Sequence, residues 1–258
     1  MPKPDLDDTY LSVVRRPIEL HVFGSSRKAV MVMAGVHGDE PRGVEVARRL
    51  IEKLTKLDEG ELGGTRVVVM PLANPDGHAL GTRKNANGID INRNFPTKDF
   101  GAHHTVFRDF GDSMAQANED SRETSEQAAP LQDPNPETSA YGKSGKFYGG
   151  ETAASEPETQ AIMTVISRHK PRLIVSLHEP LACVNYNGPS IRIARRISKL
   201  TGLPVTGDIG YPCPGSMGTY YGFERRLPLI TLELPQGEID TEFYSGILLG
   251  TLGVPAGR

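Results

Sequence analysis

Tryptophan is absent from the 258 residues, and cysteine occurs only twice. Two cysteines cannot build a disulfide scaffold, so the fold must rest on an apolar core. A chain of this length can bury one. Basic residues are not in excess: 29 Lys+Arg stand against 32 Asp+Glu, a formal net charge of −3. Displacing counterions from a nucleic-acid backbone needs the opposite balance, so no nucleic-acid partner is expected. No apolar run approaches the ~20 residues of a membrane-spanning helix, so no membrane partner is expected. The opening stretch MPKPDLDDTYLSVVRRP is acidic and lacks the apolar region of a secretory signal. The expectation is a cytoplasmic protein in which Cys183 and Cys213 are free thiols.

What is present alternates between two periods. IELHVFG (18–24), KAVMVMAG (28–35), RVVVMPL (66–72), RLIVSLHE (172–179) and LPLITLELP (227–235) are short, apolar and rich in β-branched residues, which predicts strands. PRGVEVARRLIEKLTKL (41–57) repeats Val44, Ala47, Leu50, Ile51 and Leu54 at helical spacing behind an initial proline. Further helices are predicted for the stretches from Pro157, Ser190 and Thr241, the last two closed by glycine. The alternation predicts one α/β domain, with a central mixed, mostly parallel sheet flanked by helices. Segment 98–147 breaks the rhythm. Between 112 and 140 it holds Met114 and Leu131 as its only large aliphatic residues, so it reads as a long polar insertion or a lid.

Of seven histidines, two fall where ligands gather in such sheets, at strand carboxyl ends. His37 follows the strand KAVMVMAG, and His178 ends RLIVSLHE. Glu40 lies three positions after His37, within reach of the same ion. Two His and one carboxylate, with a fourth position left for water, describe a catalytic zinc site rather than a closed structural one. The glycine- and asparagine-rich stretch GTRKNANGIDINRNFP (81–96) carries Arg83 and Arg93, the residue type that fixes carboxylates through paired hydrogen bonds. NPDG (74–77) reads as a turn, and SEPET (155–159) as a capped helix start whose acids favour the helix N-terminus. Glu233 interrupts the apolar strand LITLELP, where a carboxylate is costly unless paired or functional. His103 and His104 lie in the insertion and read as surface. His21, His78 and His169 read as ordinary strand, turn and helix-end residues.

Taken in order, HGDE, GTRKNANGIDINRNFP, SEPET, SLHEP and LELP resemble the carboxypeptidase A-like zinc metallocarboxypeptidases over roughly Lys28 to Pro235. HEPLACV (178–184) and GYPCPGSMGTYYG (210–222) are most similar to the bacterial subgroup that cuts murein peptides. The resemblance implies a zinc carboxypeptidase-like catalytic domain over 1–258 and one zinc per chain, held by His37, Glu40 and His178. It implies that Arg83 polarises the scissile carbonyl, and that Asn92 and Arg93 clamp the α-carboxylate of the leaving residue. Glu233 would be general base for a zinc-activated water and then acid for the leaving amine. The substrate implied is a small murein peptide cut at its γ-D-glutamyl–meso-diaminopimelate bond, in recycling of imported wall fragments. The digestive carboxypeptidases cover the bound carboxylate with a tyrosine. The corresponding stretch here offers Tyr220 and Tyr221, and Tyr221 is favoured.

Two other readings share part of the pattern. An amidoacid deacylase of the succinylglutamate desuccinylase or aspartoacylase type shares HxxE…H, but the GTRKNANGIDINRNFP and SEPET segments favour the peptidase. A zinc-dependent binding module without turnover would have no use for Glu233.

Overall fold

The computed structural model describes residues 10–101 and 140–254. Most of the polar segment 98–147, including His103 and His104, lies outside them. A short antiparallel pair, β1 (Tyr10–Leu11) and β2 (Pro17–Ile18), comes first. Then follow β3 (His21–Phe23), β4 (Ala29–Met33), α1 (Pro41–Thr55), β5 (Arg66–Met70) and α2 (Pro75–Leu80). The second half holds α3 (Pro157–His169), β6 (Ile174–His178), β7 (Cys183–Asn187), α4 (Ile191–Thr201), β8 (Val205–Thr206), β9 (Leu229–Glu233) and α5 (Thr241–Leu252).

Seven strands form one mixed sheet in the order β3-β5-β4-β6-β9-β7-β8. β5, β4, β6 and β9 run parallel to one another. β3 and β7 join antiparallel, and β8 pairs parallel with β7. Both faces are covered, which is why the central strands are apolar throughout instead of alternating. Val30 and Val32 of β4 face a core built with Leu50 and Leu54 of α1, Ile197 of α4 and Leu248 of α5. Met31 and Met33, one step out of phase, face Ile162 and Val165 of α3 together with Phe95. Each such buried side chain stabilises the fold by about 1.5–3 kcal/mol.

Two local expectations change, and one strand had not been read from the sequence. The run 18–24 is not one strand: β2 ends at Ile18 and pairs with β1, while β3 starts at His21 on the sheet edge. NPDG is a helix start rather than a turn. The Asn74 side chain accepts a bond from Gly77 N–H at 2.9 Å, and Pro75 takes the first turn. β7 lies beside β9 although its sequence, CVNYN, carries two asparagines, a residue depleted in strands. The consequence for chemistry is one shared edge: β4, β6 and β9 are adjacent and parallel, so their carboxyl ends open on the same side.

Candidate active site

Beyond β4 the chain turns through 35–40 into α1. Pro41 occupies the start of that helix, and Glu40 at the N-cap makes no side-chain capping bond. Its carboxylate is therefore free to point inward. Glu40 Oε1 lies 2.7 Å from His37 Nδ1, and Oε2 lies 2.9 Å from His178 Nδ1. The two Nδ1 atoms are 3.1 Å apart. All three residues are buried. Burial alone would raise the Glu40 carboxyl, but the imidazoles of His37 and His178 outweigh it and hold the group well below the usual carboxylate range.

Asp90 backs this cluster. Its Oδ1 stands 3.3 Å from His37 Nε2, and its Oδ2 accepts from Arg83 Nε at 2.8 Å. Asp90 is fully buried; burial opposes its charge, yet Arg83 and His37 keep it ionised. Arg83 also brings Nη1 to 3.5 Å from Glu40 Oε1, so its guanidinium borders the His–Glu–His cluster. The loop carrying these groups is tied from below. Asn85 Nδ2 donates to Glu156 Oε2 at 2.7 Å and to Glu158 Oε2 at 3.0 Å, and Asn87 Nδ2 donates to Glu156 Oε2 at 2.9 Å. Glu156 makes no capping bond with its side chain. The acids of SEPET thus serve the arginine loop more than the helix they begin.

Arg93 is buried, and among the described residues no carboxylate lies within ion-pair distance of it. Its Nη1 donates to Asn92 O at 2.7 Å, Nη2 reaches Cys213 Sγ at 3.6 Å, and Nε has no partner among the described residues. Burial works against the cation, but Cys213 and Asp90 more than offset it and raise its pKa. The backbone of Arg93 is gripped on two sides. A Cβ added to Gly149 would lie 2.1 Å from the Arg93 carbonyl oxygen, and one added to Gly215 would lie 2.0 Å from it. The Asn92 side-chain oxygen accepts from Met217 N–H at 2.9 Å, so only its NH₂ is left to offer.

Glu233 ends β9 directly beside His178 in the sheet register, and it is buried. Its carboxylate accepts a long 3.5 Å bond from Leu181 N–H. Burial pushes this carboxyl above the usual range, which His178 partly reverses. Glu179 is the other carboxylate at this edge, but it is committed elsewhere. It accepts from Arg42 N–H at 2.9 Å and pairs with the Arg42 guanidinium.

A profile of the zinc carboxypeptidase family matches residues 11–192. The chain belongs to that family. It is 34% identical over 209 residues to murein peptide amidase A of Vibrio campbellii, covering 80% of this chain and 68% of that one. It is 33% identical over 211 residues to murein peptide amidase A of Escherichia coli K12, covering 82% and 73%. The crystal structure of murein-tripeptide amidase MpaA from Escherichia coli O157 superposes with a TM-score of 0.66 at 28% identity, over 95% of this chain and 89% of that one. The same fold recurs in carboxypeptidase A of Helicoverpa armigera, with a TM-score of 0.63 at 18% identity over 93% and 64% of the two chains.

The zinc carboxypeptidase is thus a zinc-dependent hydrolytic enzyme, and its residues fit the metal. Among the described residues, His37, Glu40 and His178 form the one group of such side chains with ligand atoms converging within 4.8 Å. Imidazole nitrogen and carboxylate oxygen are both usual zinc donors, and Glu40 sets one oxygen against each Nδ1, Oε1 toward His37 and Oε2 toward His178. Two imidazole Nδ1 atoms and a carboxylate turned on one point call for a shared cation. Asp90 behind His37 is the kind of carboxylate that orients a metal-ligating imidazole.

Tyr221 lies elsewhere. Its ring packs edge-on against Tyr220 at 4.9 Å and Phe95 at 6.1 Å in the apolar layer. Tyr220 is covered by Arg225, 3.3 Å from its ring centre. Beside the arginines stand Tyr211, whose ring stacks on Phe147 at 5.4 Å, and Tyr141, 5.3 Å from the same ring. Phe147 in turn lies 5.0 Å from the Arg93 guanidinium carbon. Sequence reasoning passed over Tyr211, although it sits two residues before Cys213 in the segment it had singled out. It also passed over Asp90 and Asn85, whose only sequence signal is their place between Arg83 and Arg93. Cys183 and Cys213 are unpaired thiols.

Proposed function

We propose that this zinc carboxypeptidase is a murein peptide amidase that hydrolyses the γ-D-glutamyl–meso-diaminopimelate bond. The observation that carries the substrate class is the 33–34% identity to murein peptide amidases over four-fifths of the chain. The site agrees with it: a leaving residue rich in carboxylates suits a buried arginine that pairs with no carboxylate among the described residues. We take 1–258 as one catalytic domain working in the cytoplasm on recycled wall fragments. Two free thiols are in keeping with that compartment.

His37, Glu40 and His178 hold the zinc in this reading. Zinc bound there lowers the pKa of water toward ~7 and polarises a carbonyl. Glu233 Oε takes a proton from the attacking water as its oxygen adds to the carbonyl carbon. The Arg83 guanidinium faces the oxygen on which negative charge develops, where a fixed donor in a dry site is worth most. The Asn92 NH₂ and Arg93 hold the leaving residue's α-carboxylate, with Tyr211, rather than Tyr221, beside them. As the C–N bond breaks, Glu233 returns the proton to the leaving nitrogen.

Incubation with L-Ala-γ-D-Glu-meso-diaminopimelate should release diaminopimelate, and an inert tripeptide would refute the assignment. Arg93 gives a second test. A substrate amidated at the α-carboxylate of the leaving residue should be poor for the wild type. Arg93→Ala should lose roughly 10–100-fold in kcat/KM on the free acid, the worth of a charge-assisted bond, and with it the preference for acid over amide. Arg93→Lys should recover only part, because lysine lacks the planar fork. A preference that survives in Arg93→Ala would move the clamp to another residue.

A further inference from the structure

Phe147 belongs to the polar segment 98–147 and carries no role so far. Its ring centre lies 5.2 Å from the guanidinium carbon of Arg83 and 5.0 Å from that of Arg93. The ring thus stands beside both cations, each at the separation of a cation–π contact, and Lys146 Nζ lies 5.6 Å from the same ring centre. Two further rings pack against it. It stacks on Tyr211 at 5.4 Å with planes 12° apart, and packs against Tyr141 at 5.3 Å. The Tyr141 hydroxyl donates to Pro212 O at 2.8 Å, tying this end of the segment to the strip that carries Tyr211 and Cys213.

The substrate's covalent geometry gives this position a meaning. The scissile carbonyl and the leaving residue's α-carboxylate are separated only by one nitrogen and one α-carbon. If Arg83 meets the first and Arg93 the second, whatever lies between the two guanidiniums lies against the leaving residue itself. That element is Phe147.

We propose that Phe147 is a specificity-determining residue, an aromatic wall on which the side chain of the leaving residue lies, and that it selects leaving residues with a long unbranched methylene stem ending in a charged group. The inference rests on the roles given above to Arg83 and Arg93. A flat ring favours methylenes over a bare methyl group because it buries more of their surface. Beyond it the surface is polar, with Lys146 and Lys143 exposed, so the charged end stays in water.

Two measurements test it. In the first, kcat/KM is compared for γ-D-glutamyl-meso-diaminopimelate and γ-D-glutamyl-alanine. The wild-type ratio should favour the long stem. It should fall roughly tenfold or more in Phe147→Ala and recover in Phe147→Tyr, with zinc content equal in all three. A ratio unchanged in Phe147→Ala overturns the proposal. The second needs no turnover. The chain has no tryptophan, so Phe147→Trp introduces a single tryptophan at the wall, excited selectively at the red edge where the tyrosines do not absorb. Free diaminopimelate should change its emission at lower concentration than alanine does. Equal or absent responses overturn the proposal. A diaminopimelate response in a protein that hydrolyses neither amide would remove the amidase reading and leave the wall standing.

Discussion

Glu233→Gln is expected to lower turnover by about 10²–10⁴-fold, the usual worth of a general acid–base group, while zinc content stays near one per chain. The substitution keeps the side chain's shape at the end of β9, beside His178, and removes only its ability to take a proton. Substrate binding should change little, so the loss belongs in kcat more than in KM. Glu179 offers no substitute, because Arg42 already engages its carboxylate. Loss of zinc in Glu233→Gln would make Glu233 a ligand and displace Glu40 from that role. Unchanged turnover with intact zinc would reject Glu233 as the proton carrier.

The second large effect concerns the metal. Wild-type protein should carry about one zinc per chain, and His37→Ala and His178→Ala should lose it, because each removes one of the three ligands proposed above. Activity should vanish with the metal, and a chelator should reproduce the loss in the wild type until zinc is returned. Thermal stability should fall in parallel. A metal at 100 times its dissociation constant stabilises the folded state by about 2.7 kcal/mol, and its removal leaves Glu40 buried against whichever imidazole remains. Full zinc occupancy in both histidine variants would place the metal elsewhere.

Much of this site could be read from the sequence. His37, Glu40, His178 and Glu233 follow or end apolar strands, and such strands announce both their own boundaries and the edge on which they end. Glu233 stood out because a carboxylate in the run LITLELP has no structural excuse. The supporting groups were hidden for a different reason. Asn85 meets Glu156 and Glu158 across more than 70 residues, and Asp90 reaches His37 from another loop. Partners that distant leave no local pattern. Tyr211 and Phe147 were obscured by their neighbours, since an adjacent tyrosine pair and a polar, apparently structureless segment gave no hint of a stack between them. The strand β7 was missed because its asparagines imitate a loop, and α2 because a capped six-residue helix begins with the same letters as a turn.

The measurement that bears most directly on function is steady-state turnover of the murein tripeptide L-Ala-γ-D-Glu-meso-diaminopimelate beside N-acetylaspartate and N-succinylglutamate, each with and without chelator. Release of diaminopimelate from the tripeptide, abolished by the chelator and restored by zinc, is the expected result, with the two acylated amino acids left essentially intact. Zinc-dependent hydrolysis of either acylated amino acid with the tripeptide untouched would contradict the amidase assignment and make the enzyme a deacylase.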